Sequence, residues 1–134
     1  MNSAKALDVW VVDDDASIRW VLERALKQAG LETRAFEHAD AALAALRQGA
    51  PDVLVTDIRM PGRSGLEMLE EIRAKRPRLP VIVMTAHSDL ESAVAAYKGG
   101  AFEYLPKPFD IDQAVDLVRR AAAQGQRSET TAVE

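Results

Sequence analysis

Val53-Leu54-Val55-Thr56-Asp57-Ile58-Arg59-Met60-Pro61-Gly62 is the stretch on which the reading of this chain turns. An apolar run climbs to a single carboxylate at Asp57, stays extended, and is then turned sharply at Met60-Pro61-Gly62. Pro61 fixes its own φ and pushes Met60 out of the helical region, while Gly62 permits a positive φ. A buried strand that ends in one carboxylate and a shaped loop has the form of a chemical site. On its own, the same pattern describes a strand followed by a helix N-cap. The other carboxylates of the chain decide between the two.

Length and composition bound the answer first. A chain of 134 residues forms one domain that buries most of its apolar surface without staples. No stretch has the apolar length of a membrane span, and Met1 to Leu7 lacks the core of a signal peptide, so a cytoplasmic protein is expected. The absence of cysteine excludes disulfides and thiol chemistry. A formal net charge of −4 argues against a nucleic-acid grip by the domain itself. The one basic patch, Arg73 to Arg78, reads as the solvated end of a helix.

On either side of the central stretch, strand and helix patterns alternate. Asp8 to Val12 is an apolar run that stops at Asp13-Asp14-Asp15, followed by Ile18, Val21, Leu22, Ala25, Leu26 and Ala29 at helical spacing and Gly30 as a C′ residue. Trp20 lies off that stripe and is expected to be partly exposed. Thr33 to Phe36 is a short strand suited to a sheet edge, and Ala39, Ala42, Leu43 and Leu46 give a second helix. Ser64 or Gly65 opens a third. Val81 to Met84 is a buried strand ending at Thr85-Ala86. Ser88 and Glu91 have capping-box spacing before a fourth helix whose core stripe is read as Leu90, Ala93, Val94 and Tyr97. Ala101 to Leu105 is a fifth strand, and Asp110 caps a fifth helix that is expected to stop near Gly125. The pattern predicts an α/β domain: one five-stranded parallel sheet, doubly wound, with right-handed crossovers and helices on both faces. The strand order 2-1-3-4-5 is adopted from known sheets of this flavodoxin-like kind rather than read from the residues.

Ligands of such sheets bind beyond the carboxyl ends of the strands, at the switch point between strands one and three. Asp13 and Asp14 end the first strand, Asp57 the third and Thr85 the fourth, and Lys107 follows the fifth. Crowded carboxylates repel unless a cation joins them, and a few hard oxygen ligands suit Mg²⁺. Lys107 offers a mobile charge for a phosphate oxygen, Thr85 a hydroxyl, and Ala86 leaves room for a bulky group. The chemistry these groups favour is phosphoryl transfer, with Asp57 as nucleophile.

Asp13-Asp14, Asp57, Thr85-Ala86 and Lys107-Pro108, in that order, resemble the receiver domains of two-component response regulators, from about Val9 to Ala123. The longer strings Ser17 to Glu23, Asp57 to Gly62, Met84 to Leu90 and Ala101 to Asp110 are similar to the branch that activates nitrogen-regulated transcription. The resemblance implies that Asp57 accepts a phosphoryl group from a sensor histidine kinase and that Asp13, Asp14 and the Arg59 carbonyl join Asp57 around Mg²⁺. It further implies that Thr85, Ala86 and Lys107 hold the phosphoryl oxygens, that the Lys107–Pro108 peptide is cis, and that Thr85 and Tyr104 form a switch pair acting on the face of the fourth helix and fifth strand. Residues 1–124 would then be the receiver, and 125–134 a disordered tail or the start of a linker to output domains of a sigma-54-type activator. A phosphorylation-dependent dimer, no membrane, and no turnover beyond the domain's own phosphorylation and dephosphorylation complete the expectation.

The rival of another class is a haloacid-dehalogenase-type phosphatase, whose Asp-x-Asp signature Asp13 to Ser17 fits loosely. It gives Asp57 no role, and Asp110 and Asp112 belong more naturally to a helix start than to its late acidic motif. A pseudo-receiver without phosphorylation would not need the five site residues. Ser64 stands where many receivers have Asp; both cap helices. Asp15 reads as a loop or N-cap residue, Met60 as packing, and His38 and His87 as surface or loop residues.

Overall fold

The computed structural model describes residues 7–86 and 88–133, with side chains through residue 125. The readings of the N-terminal stretch before Leu7 and of His87 lie outside the described residues. Strands β1 (Asp8–Val12), β2 (Glu32–Phe36), β3 (Val53–Asp57), β4 (Val81–Ala86) and β5 (Glu103–Lys107) alternate with helices α1 (Ala16–Gln28), α2 (Ala39–Leu46), α3 (Gly65–Lys75), α4 (Leu90–Lys98) and α5 (Ile111–Val133). The strands pair in parallel in the order β2-β1-β3-β4-β5, the flavodoxin-like order. Consecutive apolar residues make the central strands because both faces of the sheet are covered. On one face Val9, Val11, Val55, Ile82 and Met84 meet Leu22 and Leu26 of α1 and Ala114, Leu117 and Val118 of α5. On the other, Trp10, Val12, Leu54 and Val83 meet Ala42 and Leu46 of α2, Met68, Leu69 and Ile72 of α3, and Ala96 of α4. Among the described residues no helix is long and apolar enough to cross a membrane.

Gly30 and Gly62 have φ of 88° and 80°, the conformations their turns require. Four local expectations are corrected. The α4 cap is Asp89, which accepts from the Ser92 N–H; the capping box lies instead on α3, where Ser64 and Glu67 exchange both bonds. Asp89 is one residue nearer the helix than Ser88 and its carboxylate is the stronger acceptor. The inward residues of α4 are Ala93 and Ala96, while Leu90, Val94 and Tyr97 are 70%, 43% and 45% exposed. Ala96 packs in the core cluster that holds Leu69 of α3, and at the C-cap of α4 a Cβ on Gly99 would lie 3.2 Å from Leu69.

Strand β5 starts two residues later than expected and includes Pro106, tolerated because β5 is an edge strand paired only with β4. Helix α5 does not stop at Gly125 but continues to Val133, so the backbone of residues 126–133 is helical rather than a frayed tail. A single interior glycine without positive φ costs a helix only about 1 kcal/mol, too little to end it. His38 is the exposed loop residue expected, and its Nδ1 in addition caps α2 by accepting from the Ala41 N–H at 3.4 Å.

Candidate functional site

The parallel register carries the carboxyl ends of β1, β3, β4 and β5 to one edge. Val12 pairs with Thr56, Asp57 with Met84, Thr85 with Pro106, and Ala86 with Lys107. Each site residue sits at the end of its strand or just beyond it. Asp13, Asp14 and Asp57 can bring one carboxylate oxygen each to within 4.8 Å of the others. Asp13 is fully buried and Asp14 exposed. Lys107 reaches across from β5, with its Nζ 3.0 Å from Asp13 Oδ2 and 3.3 Å from Asp57 Oδ1. The Lys107–Pro108 peptide is cis, as the resemblance implied.

Burial raises the Asp57 carboxyl above its ordinary pKa, and the Asp13 charge adds to this; Lys107 opposes both. Burial would lower Lys107, but its hydrogen bond to Asp13 and the charges of Asp13 and Asp57 outweigh that and raise it. The cluster is therefore frustrated. One ammonium serves two of three carboxylates, and the donor set suits a hard, compact cation. All-oxygen donors, with Asp14 open to solvent, fit Mg²⁺ and leave positions for water or phosphate. Thr85 is buried at the end of β4, and Ala86 beside it is exposed. Pairing of Val83 with Tyr104 puts Tyr104 on the same sheet face as Thr85, where its ring meets Tyr97 edge-on at 5.5 Å.

The loop after β3 is held at both ends. Gly65 N–H donates to the Ile58 carbonyl at 2.8 Å, and a Cβ on Gly65 would fall 2.1 Å from the Asp57 carbonyl oxygen. No residue with a Cβ lets α3 start this close to the backbone at the end of β3. Arg59 Nη2 pairs with Asp89 Oδ2 at 2.9 Å, tying that loop to the cap of α4. Met60 is buried, consistent with packing. Asp15 is the N-cap of α1, accepting from Ser17 and Ile18. Of the basic patch, Arg73 donates to the Pro77 carbonyl and Arg76 to the Leu46 carbonyl, which spends both on loop and helix ends. Asp110 accepts from the Asp112 N–H as a helix-start residue, away from any phosphatase role.

Gly65, the Arg59–Asp89 pair and Arg19, whose Nη1 donates to the Asp13 carbonyl at 2.7 Å, are neighbours of the site that motif reading missed. Gly65 alone left a local signal, as the glycine after the turn. The two arginine contacts span loops and leave none.

The sheet order and this edge of acidic, hydroxyl and ammonium groups define a class. Residues 9–119 match the model of the response regulator receiver domain, and the chain belongs to that family, a signalling rather than a turnover-catalysing one. Within it, the chain is 62% identical over 121 residues to the DNA-binding transcriptional regulator NtrC of Salmonella typhimurium, covering 90% of this chain and 26% of that protein. The chain thus spans about a quarter of that relative. Among solved structures, the apo receiver domain of NtrC superposes with a TM-score of 0.81 at 62% identity, covering 90% of this chain and 97% of that one. The BeF3-activated form of the NtrC receiver superposes at 0.79 and 61% identity, covering 92% and 99%. The chain is therefore an NtrC-like receiver domain.

Proposed function

We propose that the Asp57 carboxylate accepts a phosphoryl group from the phosphohistidine of a sensor kinase, and that the resulting acyl phosphate switches the α4/β5 face. The observation that carries this is Lys107 spanning Asp13 and Asp57 across the switch point, with Thr85 near the end of the neighbouring strand β4. Asp13, Asp14 and Asp57, with the Arg59 carbonyl, would hold Mg²⁺, which supplies charge neutralisation at the phosphoryl oxygens. Asp57 Oδ attacks phosphorus in line, the P–N bond to histidine breaks, and the imidazole nitrogen keeps the electron pair. Lys107 moves from carboxylate to phosphoryl oxygen, Thr85 donates its hydroxyl to another, and exposed Ala86 leaves the approach open.

With Thr85 drawn inward, Tyr104 follows on the same face and changes its contact with Tyr97 of α4. Leu90, Val94 and Tyr97 then offer apolar surface to output domains, in the reading closest to NtrC those of a sigma-54-type transcription activator for nitrogen assimilation in the cytoplasm, or to a second phosphorylated copy. Residues 1–124 would be the receiver, and 125–134 would lead into that remainder.

Beryllium fluoride, a stable stand-in for the acyl-bound phosphoryl group, tests the site. Added with Mg²⁺, it is expected to shift the amide resonances of Asp57, Thr85, Ala86 and Lys107, and Asp57→Asn protein is expected to be silent. Equal shifts in Asp57→Asn protein would contradict the assignment.

A further inference from the structure

Asp13 is fully buried and every polar group it has is held. Its N–H donates to the Phe36 carbonyl at 3.1 Å, its Oδ1 accepts from the Asp15 N–H at 2.9 Å, and its Oδ2 from Lys107 at 3.0 Å. The remaining group, the carbonyl, accepts from Arg19 Nη1 at 2.7 Å. Arg19 lies in the first turn of α1 with its side chain only 18% exposed, and its Nη2 faces Glu37 Oε2 at 4.0 Å. One guanidinium therefore ties the loop that presents Asp13 and Asp14 both to α1 and to the loop after β2. A guanidinium stays charged throughout the accessible pH range, and a charged donor bonds a carbonyl more strongly than a neutral one.

We propose that Arg19 is a positioning residue of the acidic cluster: by holding the Asp13 carbonyl it fixes the loop from which Asp13 and Asp14 present their carboxylates, and so raises the cluster's affinity for a divalent cation. The inference rests on the metal-binding reading of the cluster given above. It makes a claim of sign. A positive charge near three carboxylates opposes a second cation by simple repulsion, so if Arg19 acted only as a charge, removing it would tighten Mg²⁺ binding. If Arg19 acts by position, removing it weakens binding, and loss of an outer partner of metal ligands typically weakens affinity about 10- to 100-fold.

The test is an Mg²⁺ titration followed by backbone amide shifts, on the whole chain, with dispersion of the spectrum showing that each variant is folded. Arg19→Ala is expected to weaken Mg²⁺ about tenfold. Arg19→Lys, which keeps one donor for the carbonyl but lacks the fork that also reaches toward Glu37, is expected to lose less. It carries the test alone if the alanine variant does not fold, in which case unweakened binding would overturn the proposal. The control is Arg119→Ala, since Arg119 Nη2 makes the same kind of bond, 2.9 Å to the Ala29 carbonyl, at the far end of α1. Arg119→Ala is expected to lower stability while leaving Mg²⁺ affinity unchanged. Unchanged or tighter Mg²⁺ binding by Arg19→Ala would overturn the proposal, as would equal weakening by Arg119→Ala, which would reduce the effect to a loosened α1. Failure of the unsubstituted chain to bind Mg²⁺ would instead refute the metal reading itself.

Discussion

Asp57 holds its proton more tightly in the folded, metal-free chain than in the unfolded one, because burial and the Asp13 charge outweigh Lys107. The sign for stability follows. A raised carboxyl loses stability as pH climbs from its unfolded value through its folded value, and the loss persists above that window. Asp57→Asn removes the titrating group, so in EDTA at neutral pH the variant is expected to unfold at higher urea than the unsubstituted domain. The gap should close as pH falls below the ordinary carboxylate range, where both side chains are neutral. A gap that is absent, or that does not change with pH, would show that Asp57 is not held under strain of charge. That Asp57 and the acidic pair Asp13-Asp14 come together was legible because these residue types sit at strand ends. Gly65 was legible only as a helix start. That it must lack a Cβ follows from the 2.1 Å approach to the Asp57 carbonyl, which exists only once β3 and α3 are folded together.

Helix α4 shows why an element can be found and yet be read inside out. The apolar stripe through Leu90, Val94 and Tyr97 suggested a core face, since large apolar residues usually point inward. The helix instead puts Ala93 and Ala96 inward and leaves the large residues exposed, with Ala96 packed in the cluster that holds Leu69 of α3. Its C-terminal end is closely packed: a Cβ on Gly99 would lie 3.2 Å from Leu69, and one on Gly100 2.5 Å from Arg73 Nε. The N-terminal end hangs on Asp89, which caps Ser92 with one oxygen and holds Arg59 with the other. Phosphorylation can shift this helix only by its difference in interaction energy between two states, and in the function proposed above Thr85 senses that difference. Thr85→Ala is therefore expected to leave Asp57 phosphorylatable while abolishing most of the change in hydrogen exchange along α4 and β5. Full changes there in Thr85→Ala protein, or changes confined to α1 and α2, would place the signal elsewhere.

For the molecule as a whole, the five alternations were legible because a two-faced parallel sheet demands unbroken apolar strands, and this chain supplies them. Strand order was not, since nothing in a strand's residues names its neighbour; it came with the resemblance and agrees with the structure. The end of α5 was misjudged because one glycine and a polar run weaken periodicity without preventing helix. What unites the molecule is an edge where three carboxylates, a hydroxyl and one ammonium meet under charge imbalance, and the central claim is that Asp57 relieves it by taking a phosphoryl group. The direct measurement is intact mass followed by peptide mapping after incubation with acetyl phosphate and Mg²⁺. The expected result is the gain of one phosphoryl group on the peptide containing Asp57, abolished by EDTA and by Asp57→Asn. The same gain in Asp57→Asn protein, or a phosphoryl group mapped to Asp13 instead, would contradict it.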